Sequence, residues 1–63
     1  MKKKQQFMFN GAIVLALGKK ANIVRMEENN IDGVDYVYGI YCKVEGDKST
    51  GKYHPNDIKE LIV

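Results

Sequence analysis

The last thirteen residues, Gly51 to Val63, constrain the fold more than any other part of the chain. A short stretch ending near Tyr53 is followed by Pro55 and then by an apolar segment that begins at Ile58. Proline is favoured in tight turns and does not fit inside a sheet ladder. The segment therefore predicts a strand, one tight turn and a closing strand, which is an order of elements typical of a small β-barrel.

The length of the chain limits it to one small domain. A chain of 63 residues buries only about 60% of the surface that its unfolded form exposes. We expect a single domain spanning residues 1 to 63, with residues 1 to 6 as a solvated basic tail. Cys42 is the single cysteine, so no intrachain disulfide can compensate for a small core. A free thiol is typical of a reducing cytoplasm.

The N-terminal sequence carries a competing localisation signal. Lys2 to Lys4 followed by the apolar run from Phe7 to Leu17 are similar to the basic and apolar regions of a secretory signal peptide. Asn10-Gly11 interrupts this run, and no small-x-small cleavage site precedes Lys19. The run is also too short to span a bilayer. We predict a cytoplasmic protein with no membrane partner, and export is the alternative.

Apolar runs and turn residues divide the chain into about five short strands. After Phe7 to Phe9, the dipeptide Asn10-Gly11 is typical of a two-residue hairpin turn. The run from Ala12 to Leu17 favours a strand, but Asn10 as an N-cap and Gly18 as a terminating glycine leave a short helix open. The other predicted segments are a strand at 21–26, a solvent-exposed loop at 27–35, a strand at 36–44 with a bulge at Gly39, a loop at 45–51, and strands at 52–54 and 58–63.

The segment Gly51-Lys-Tyr-His-Pro-Asn-Asp-Ile-Lys-Glu-Leu-Ile62 resembles the end of an SH3-like barrel, as found in small phage or bacterial proteins. In SH3 domains a glycine-started strand leads to an aromatic residue, a proline and an asparagine in a single 3-10 turn, and a short hydrophobic strand. Tyr53, Pro55, Asn56 and Ile58 hold comparable places, although the proline-to-asparagine spacing departs by one residue.

This resemblance implies an all-β fold, a small SH3-like barrel of about five short antiparallel strands with a 3-10 turn before the last strand. SH3 domains that bind proline-rich peptides also have a tryptophan and a tyrosine-rich first strand, and this chain has neither. The resemblance therefore extends to the architecture and not to peptide recognition.

The single thiol, Cys42, and the single imidazole, His54, lie on the two arms of one predicted hairpin, where a nucleophile and a base could meet. If Tyr53 shares the buried face with Cys42 and Val44, the two residue numbers of each cross-strand pair must add up to an odd number. That register places Cys42 and His54 on opposite faces. We therefore predict a buried thiol, a surface histidine, no catalytic residue and no enzymatic activity.

The acidic stretch from Glu28 to Gly33 is similar to the start of a calcium-binding loop. The twelfth position of that loop is Gly39, where an EF-hand requires a glutamate. One cysteine and one histidine are also too few for a zinc site. We predict a solvated acidic loop, no metal and no cofactor.

The region from Phe7 to Leu17 is more apolar than one face of a short strand can bury, so we expect part of it to be exposed. Exposed apolar patches mark protein interfaces, and an acidic loop can engage a basic surface. We predict a non-enzymatic module, an adaptor or inhibitor, that docks on a protein partner, with a homodimer as another form of association. The residues predicted at this interface are Phe7, Phe9, Glu27, Glu28, Asp32 and Asp35.

The alternative is a nucleic-acid-binding barrel, since bases stack on aromatic side chains and lysines hold phosphates. The net charge of +2 depends on Lys2 to Lys4, because the rest of the chain has seven cations against eight acids. Strand alternation predicts Tyr36 and Tyr38 in the core and Tyr41 beside Lys43 on the other face. The residues of this alternative are Lys2, Lys3, Lys4, Tyr41, Lys43 and Lys52.

Overall fold

A computed structural model of the protein describes residues 2 to 62. Its six strands are β1 (Lys2–Lys3), β2 (Ile13–Ala16), β3 (Lys19–Ile31), β4 (Val34–Val44), β5 (Gly51–Tyr53) and β6 (Ile58–Glu60), and a 3-10 turn (Pro55–Asp57) directly precedes β6. The predicted all-β fold with a 3-10 turn before the last strand is confirmed for these residues. The choice between strand and helix at Ala12 to Leu17 is settled in favour of a strand.

The sheet has the strand order β1-β4-β3-β2-β6, and β5 also pairs with β4. All pairs are antiparallel. In a flat sheet β5 and β6 would lie four strand spacings apart, about 19 Å. The five Cα steps from Tyr53 to Ile58 span at most about 17 Å when fully extended, and the 3-10 turn shortens them further. The sheet therefore curls into a half-barrel.

Tight turns fix the register of the two hairpins formed by β2, β3 and β4. Leu17-Gly18 joins β2 to β3 and Asp32-Gly33 joins β3 to β4, each with two residues between paired strand ends. All four residues have positive φ, at 50°, 79°, 52° and 81° in chain order, as a type I′ turn requires. The prediction of a loop at 27–35 is wrong, because both strands continue up to the Asp32-Gly33 turn.

The Asn10-Gly11 dipeptide forms a turn of a different kind from the one predicted. The Ala12 N–H donates a hydrogen bond to the Phe9 carbonyl oxygen, and Gly11 has positive φ while Asn10 does not. This is a β-turn that leads into β2 and not a two-residue hairpin turn, which would require positive φ at both residues. The segment from Phe7 to Phe9 is consequently not a strand.

Small and β-branched side chains fill the core on the concave side of the sheet. The buried hydrophobic residues are Met8, Ala12, Val14, Ala16, Ala21, Ile23, Val37, Ile40, Cys42, Val44 and Ile58. Phe7, Met26 and Tyr53 are half-buried and pack against this core. Tyr53 thus contacts the core as predicted, and Pro55 in the 3-10 turn is also buried.

Two register shifts between β3 and β4 change which side chains face the core. Val24 in β3 and Tyr38 in β4 have no paired residue, so each strand contains a bulge. The second bulge lies beside Gly39, as predicted. Because of it, Val37 is buried, Tyr36 is half-buried and Tyr38 is 44% exposed. The prediction that Tyr36 and Tyr38 lie in the core is therefore wrong.

The basic N-terminal residues are part of the sheet. Strand β1 pairs with the Tyr36 to Val37 segment of β4, and the Lys4 N–H donates to the Asp35 carbonyl oxygen at 2.9 Å. The expectation that residues 1 to 6 form a solvated tail is wrong for β1 and Lys4. Met1 lies outside the described residues.

Other boundaries differ by a few residues from those predicted. The strand expected at 52–54 is β5, which begins and ends one residue earlier. The closing strand expected at 58–63 ends at Glu60, and Val63 lies outside the described residues. From residue 2 to residue 62 the chain forms no helix with the length and apolar character needed to cross a membrane.

Candidate functional site

Cations concentrate on the face of the sheet that points away from the core, which we call the outward face. Side chains alternate along each strand, and paired residues of neighbouring strands lie on the same face. Of the ten lysines and arginines, six project from this face within residues 2 to 62: Lys3, Lys20, Arg25, Lys43, Lys52 and Lys59. Of the eight acids, Glu27 is on this face, and Glu45 lies just beyond the end of β4. The outward face is therefore strongly positive although the chain as a whole is not.

Tyr41 in β4 is the centre of a cluster on this face. Arg25 of β3 pairs with Tyr41 on one side and Lys52 of β5 pairs with it on the other. The Arg25 guanidinium carbon lies 3.9 Å from the centroid of the Tyr41 ring, and the Lys52 Nζ lies 5.7 Å from it. Both distances allow cation–π attraction. Together with Glu27, these residues form what we call the Tyr41 cluster.

Glu27 is the acidic member of the Tyr41 cluster, and it forms an ion pair with Lys52 at 2.6 Å. The Glu27 Oε1 atom is shielded from solvent. Gly39 makes room for the pair, since a Cβ atom there would lie 2.6 Å from Glu27 Oε1 and 2.7 Å from the Lys52 Cε. The hydrogen bond from Lys52 to Glu27 raises the pKa of Lys52, and this effect outweighs the desolvation of the amine, which lowers it. Lys52 is therefore a fixed cation whose charge Glu27 partly balances.

The residues predicted for nucleic-acid binding are partly brought together. Tyr41, Lys43 and Lys52 share the outward face, and Lys3 lies beside Tyr36 on the same face. Lys2 pairs with the buried Val37 and so lies on the other face. Lys4 forms an ion pair with Glu28 at 3.0 Å.

Sequence reasoning missed Arg25 as a member of this site. In a regular strand Arg25 would share the face of the buried Ile23, since the two residues have the same parity. The bulge at Val24 turns Arg25 to the outward face instead. No glycine or turn residue in β3 marks this bulge, so the sequence contains no signal that would have identified Arg25.

The residues predicted for protein docking are dispersed. Phe7 packs against the core, whereas Phe9 is 55% exposed. Glu27 and Glu28 are each engaged in an ion pair with a lysine.

The remaining two predicted docking residues belong to the hairpin tip. Asp32 is part of the tight turn between β3 and β4. Asp35 accepts a hydrogen bond from the Asn30 side-chain amide at 2.9 Å, and the Asn30 Oδ1 atom accepts from the Gly33 N–H. These residues order the hairpin tip, whereas the turn that contains Phe9 is joined to β3 at Ile23, whose carbonyl oxygen accepts a hydrogen bond from the Gly11 N–H.

Cys42 and His54 lie on opposite faces, as the predicted register requires. Ile40 pairs with Tyr53 and Cys42 with Gly51, so the two residue numbers of each pair add up to an odd number. Cys42 is fully buried, and burial raises the pKa of its thiol. His54 is exposed, and its Nδ1 atom accepts a hydrogen bond from the N–H of Asn56 at 3.1 Å, which caps the 3-10 turn.

Within residues 2 to 62, no group of three or more histidine, cysteine or acidic side chains is placed to hold a metal ion. The chain has no match among protein-family models, curated proteins or solved structures. The SH3-like resemblance of the C-terminal segment thus stays a prediction, and the function must be inferred from the molecule itself.

Proposed function

We propose that this protein is a non-enzymatic nucleic-acid-binding module that uses the outward face of its sheet. The observation that supports the proposal is the arrangement of charge: within residues 2 to 62, the strands place six cations and a single acid on this face. Phosphate contacts by lysine and arginine supply most of the affinity in such complexes. Tyr36, Tyr38 and Tyr41 on the same face add the aromatic surface on which bases stack.

The Tyr41 cluster supports the proposal in a second way. Arg25 and Lys52 flank one aromatic ring, which holds two cations at fixed positions before any ligand arrives. Ordering side chains in advance lowers the entropy cost of binding. The cluster is therefore a preorganised centre for a phosphate chain, and Lys43 extends it along β4.

Salt dependence tests this function. Fluorescence anisotropy with a labelled 12-nucleotide strand should show affinity that falls steeply as salt increases from about 50 to 200 mM. Removing one phosphate contact by Lys43→Ala should weaken binding several-fold and reduce the slope by roughly 0.7 for a single strand or 0.9 for a duplex. Lys19→Ala is the matched control, because Lys19 is an exposed lysine of β3 that pairs with Ala16 on the other face. We expect this variant to bind nearly as well as the wild type.

Two results would overturn the proposal. One is a lack of binding to any single-stranded or duplex oligonucleotide at low salt. The other is an equal loss of affinity in the Lys43 and Lys19 variants, because it would show that the outward face has no special part in binding. Circular dichroism of each variant establishes that the fold is intact.

Docking on a protein partner is the second candidate function, and exposed apolar side chains favour it. Phe9 is 55% exposed and Leu17 is 65% exposed. Leu17 also has a φ of 50°, a backbone conformation that a leucine rarely adopts. A partner with apolar pockets would bury both side chains, and hot spots of this kind dominate many interfaces.

Phe9→Ser and Leu17→Asn test the docking function in a quantitative pull-down from native lysate. A specific partner should be lost with both variants and retained with Ile62→Ser, which changes another exposed apolar residue. Recovery of the same proteins by all variants would exclude Phe9 and Leu17 as the docking surface.

A further inference from the structure

Three tyrosines follow one another along the outward face of β4. The bulge at Tyr38 turns this residue to the same side as Tyr36 and Tyr41, since Val37 and Ile40 are the buried neighbours. A strand rises about 3.3 Å per residue, so Tyr36 and Tyr38 are about 7 Å apart and Tyr41 lies about 10 Å further along. The face therefore presents a row of aromatic rings about 17 Å long.

The three rings differ in their availability. The Tyr41 ring is covered by the Arg25 guanidinium at 3.9 Å, so this face of the ring is already occupied. Tyr38 is 44% exposed, and among residues 2 to 62 no cation lies over its ring. Tyr36 is half-buried beside Lys3 of β1. Tyr38 is consequently the most accessible stacking surface of the row.

Cations line both ends of this row. Lys3 lies beside Tyr36, and Lys43 follows Tyr41 at the other end. Lys52 pairs with Tyr41 from the neighbouring strand, and its side chain leans over Gly39, where its Nζ lies 3.5 Å from the position that a Cβ atom would occupy, between Tyr38 and Tyr41 in the chain. A chain of phosphates that follows β4 would thus meet a cation at each end and one near the middle.

We infer, on the basis of the proposed function, that the ligand is single-stranded nucleic acid that runs along β4 with at least one base stacked on Tyr38. A duplex stacks its bases on each other and presents mainly phosphates and base edges, so it would gain nothing from a row of tyrosine rings. A single strand exposes its base faces, and stacking on aromatic side chains is the usual way in which such strands are held. The unoccupied Tyr38 ring between cations fits a single strand better than a duplex.

The experiment compares three labelled probes with equal numbers of phosphates. The first is a single strand of twelve thymidines, the second is a strand of the same length in which every nucleotide is an abasic site, and the third is a duplex. We expect the thymidine strand to bind about tenfold more tightly than the abasic strand, which corresponds to the loss of about one stacked base. Tyr38→Ala should remove this advantage without changing the salt slope. Tyr38→Phe should preserve it, because the ring remains.

The outcomes separate this inference from the proposed function. If all three probes bind equally and Tyr38→Ala has no effect, the protein binds phosphates but does not stack on Tyr38, and the inference alone is overturned. If no probe binds at low salt, the proposed function is overturned together with the inference. Thermal melting of both Tyr38 variants shows whether they are folded. If the alanine variant is not folded, the phenylalanine variant keeps the test decisive.

Discussion

Cys42 shows how a residue that is chemically reactive in isolation becomes part of the core. Its side chain is fully buried and pairs across the sheet with Gly51 and Ile23. The thiolate is the reactive form of cysteine, and burial disfavours it. We therefore expect alkylation of native Cys42 at neutral pH to be much slower than alkylation of the same thiol in denaturant, as measured by mass spectrometry. Equal rates in the two conditions would contradict burial.

The raised pKa of Cys42 also predicts how stability depends on pH. Above the ordinary thiol pKa of about 8.5, the unfolded chain loses the thiol proton while the folded protein retains it. The unfolded state then binds fewer protons, so the free energy of unfolding falls as the pH rises. The contribution of Cys42 is fully present below about pH 8.5 and is lost at higher pH.

Cys42→Ala separates this effect from the titration of tyrosines and lysines. Denaturant unfolding of both proteins between about pH 7 and pH 10 should show a steeper decline for the wild type. The cavity left by the substitution lowers stability at every pH and does not change the slope. Parallel curves for the two proteins would mean that Cys42 does not titrate differently in the folded state.

At the scale of elements, the turns are determined more closely by the sequence than the faces of the strands. Pro55 suits the backbone geometry of the 3-10 turn, and Asp32-Gly33 suits that of a type I′ turn. Leu17-Gly18 is the exception, since it adopts the same type I′ turn with a leucine at φ 50°. The left-handed conformation costs a residue with a bulky side chain roughly 1–2 kcal/mol, and asparagine tolerates it.

Leu17→Asn should therefore stabilise the protein by about 1 kcal/mol, which corresponds to a rise in Tm of about 4–8 °C for a domain of this size. Replacing the leucine side chain removes little buried apolar surface, because Leu17 is 65% exposed. Asp32→Asn is the matched control at the equivalent position of the other turn, where aspartate already tolerates positive φ, and it should change Tm by much less. A fall in Tm with Leu17→Asn would show that the leucine side chain contributes contacts that outweigh the backbone strain.

The central parts of β2, β3 and β4 could be predicted, but the continuation of β3 through residues 27–31 and the faces of the strands could not. Apolar runs and β-branched residues identify where β2, β3 and β4 lie. The faces follow from alternation only as long as a strand is regular, and bulges at Val24 and Tyr38 break that regularity. Gly39 gave a sign of the second bulge, yet its consequence for Tyr38 depends on the pairing with β3, which is a property of the folded sheet. The same limit hid Arg25, and with it the composition of the Tyr41 cluster.

For the whole molecule, the distribution of charge matters more than its sum. The net charge of +2 gives no reason to expect a basic surface. Folding changes this, because the sheet places six cations on one face and leaves most acids in turns, in loops or on the other side. Charges separated by more than about 8 Å are largely screened at physiological salt. A ligand at the outward face therefore experiences the local excess of cations and not the average over the molecule.

Two charge-reversal variants with the same amino-acid composition and the same net charge distinguish a local site from a net-charge effect. Lys43→Glu and Lys19→Glu each lower the net charge from +2 to 0, but Lys43 belongs to the outward face and Lys19 does not. Because screening confines each charge to its surroundings, we expect Lys43→Glu to weaken oligonucleotide binding more than tenfold at about 0.15 M salt and Lys19→Glu to weaken it about twofold. Anisotropy titrations measure both. If the two variants lose the same affinity, the net charge determines binding, and the outward face has no special part in it.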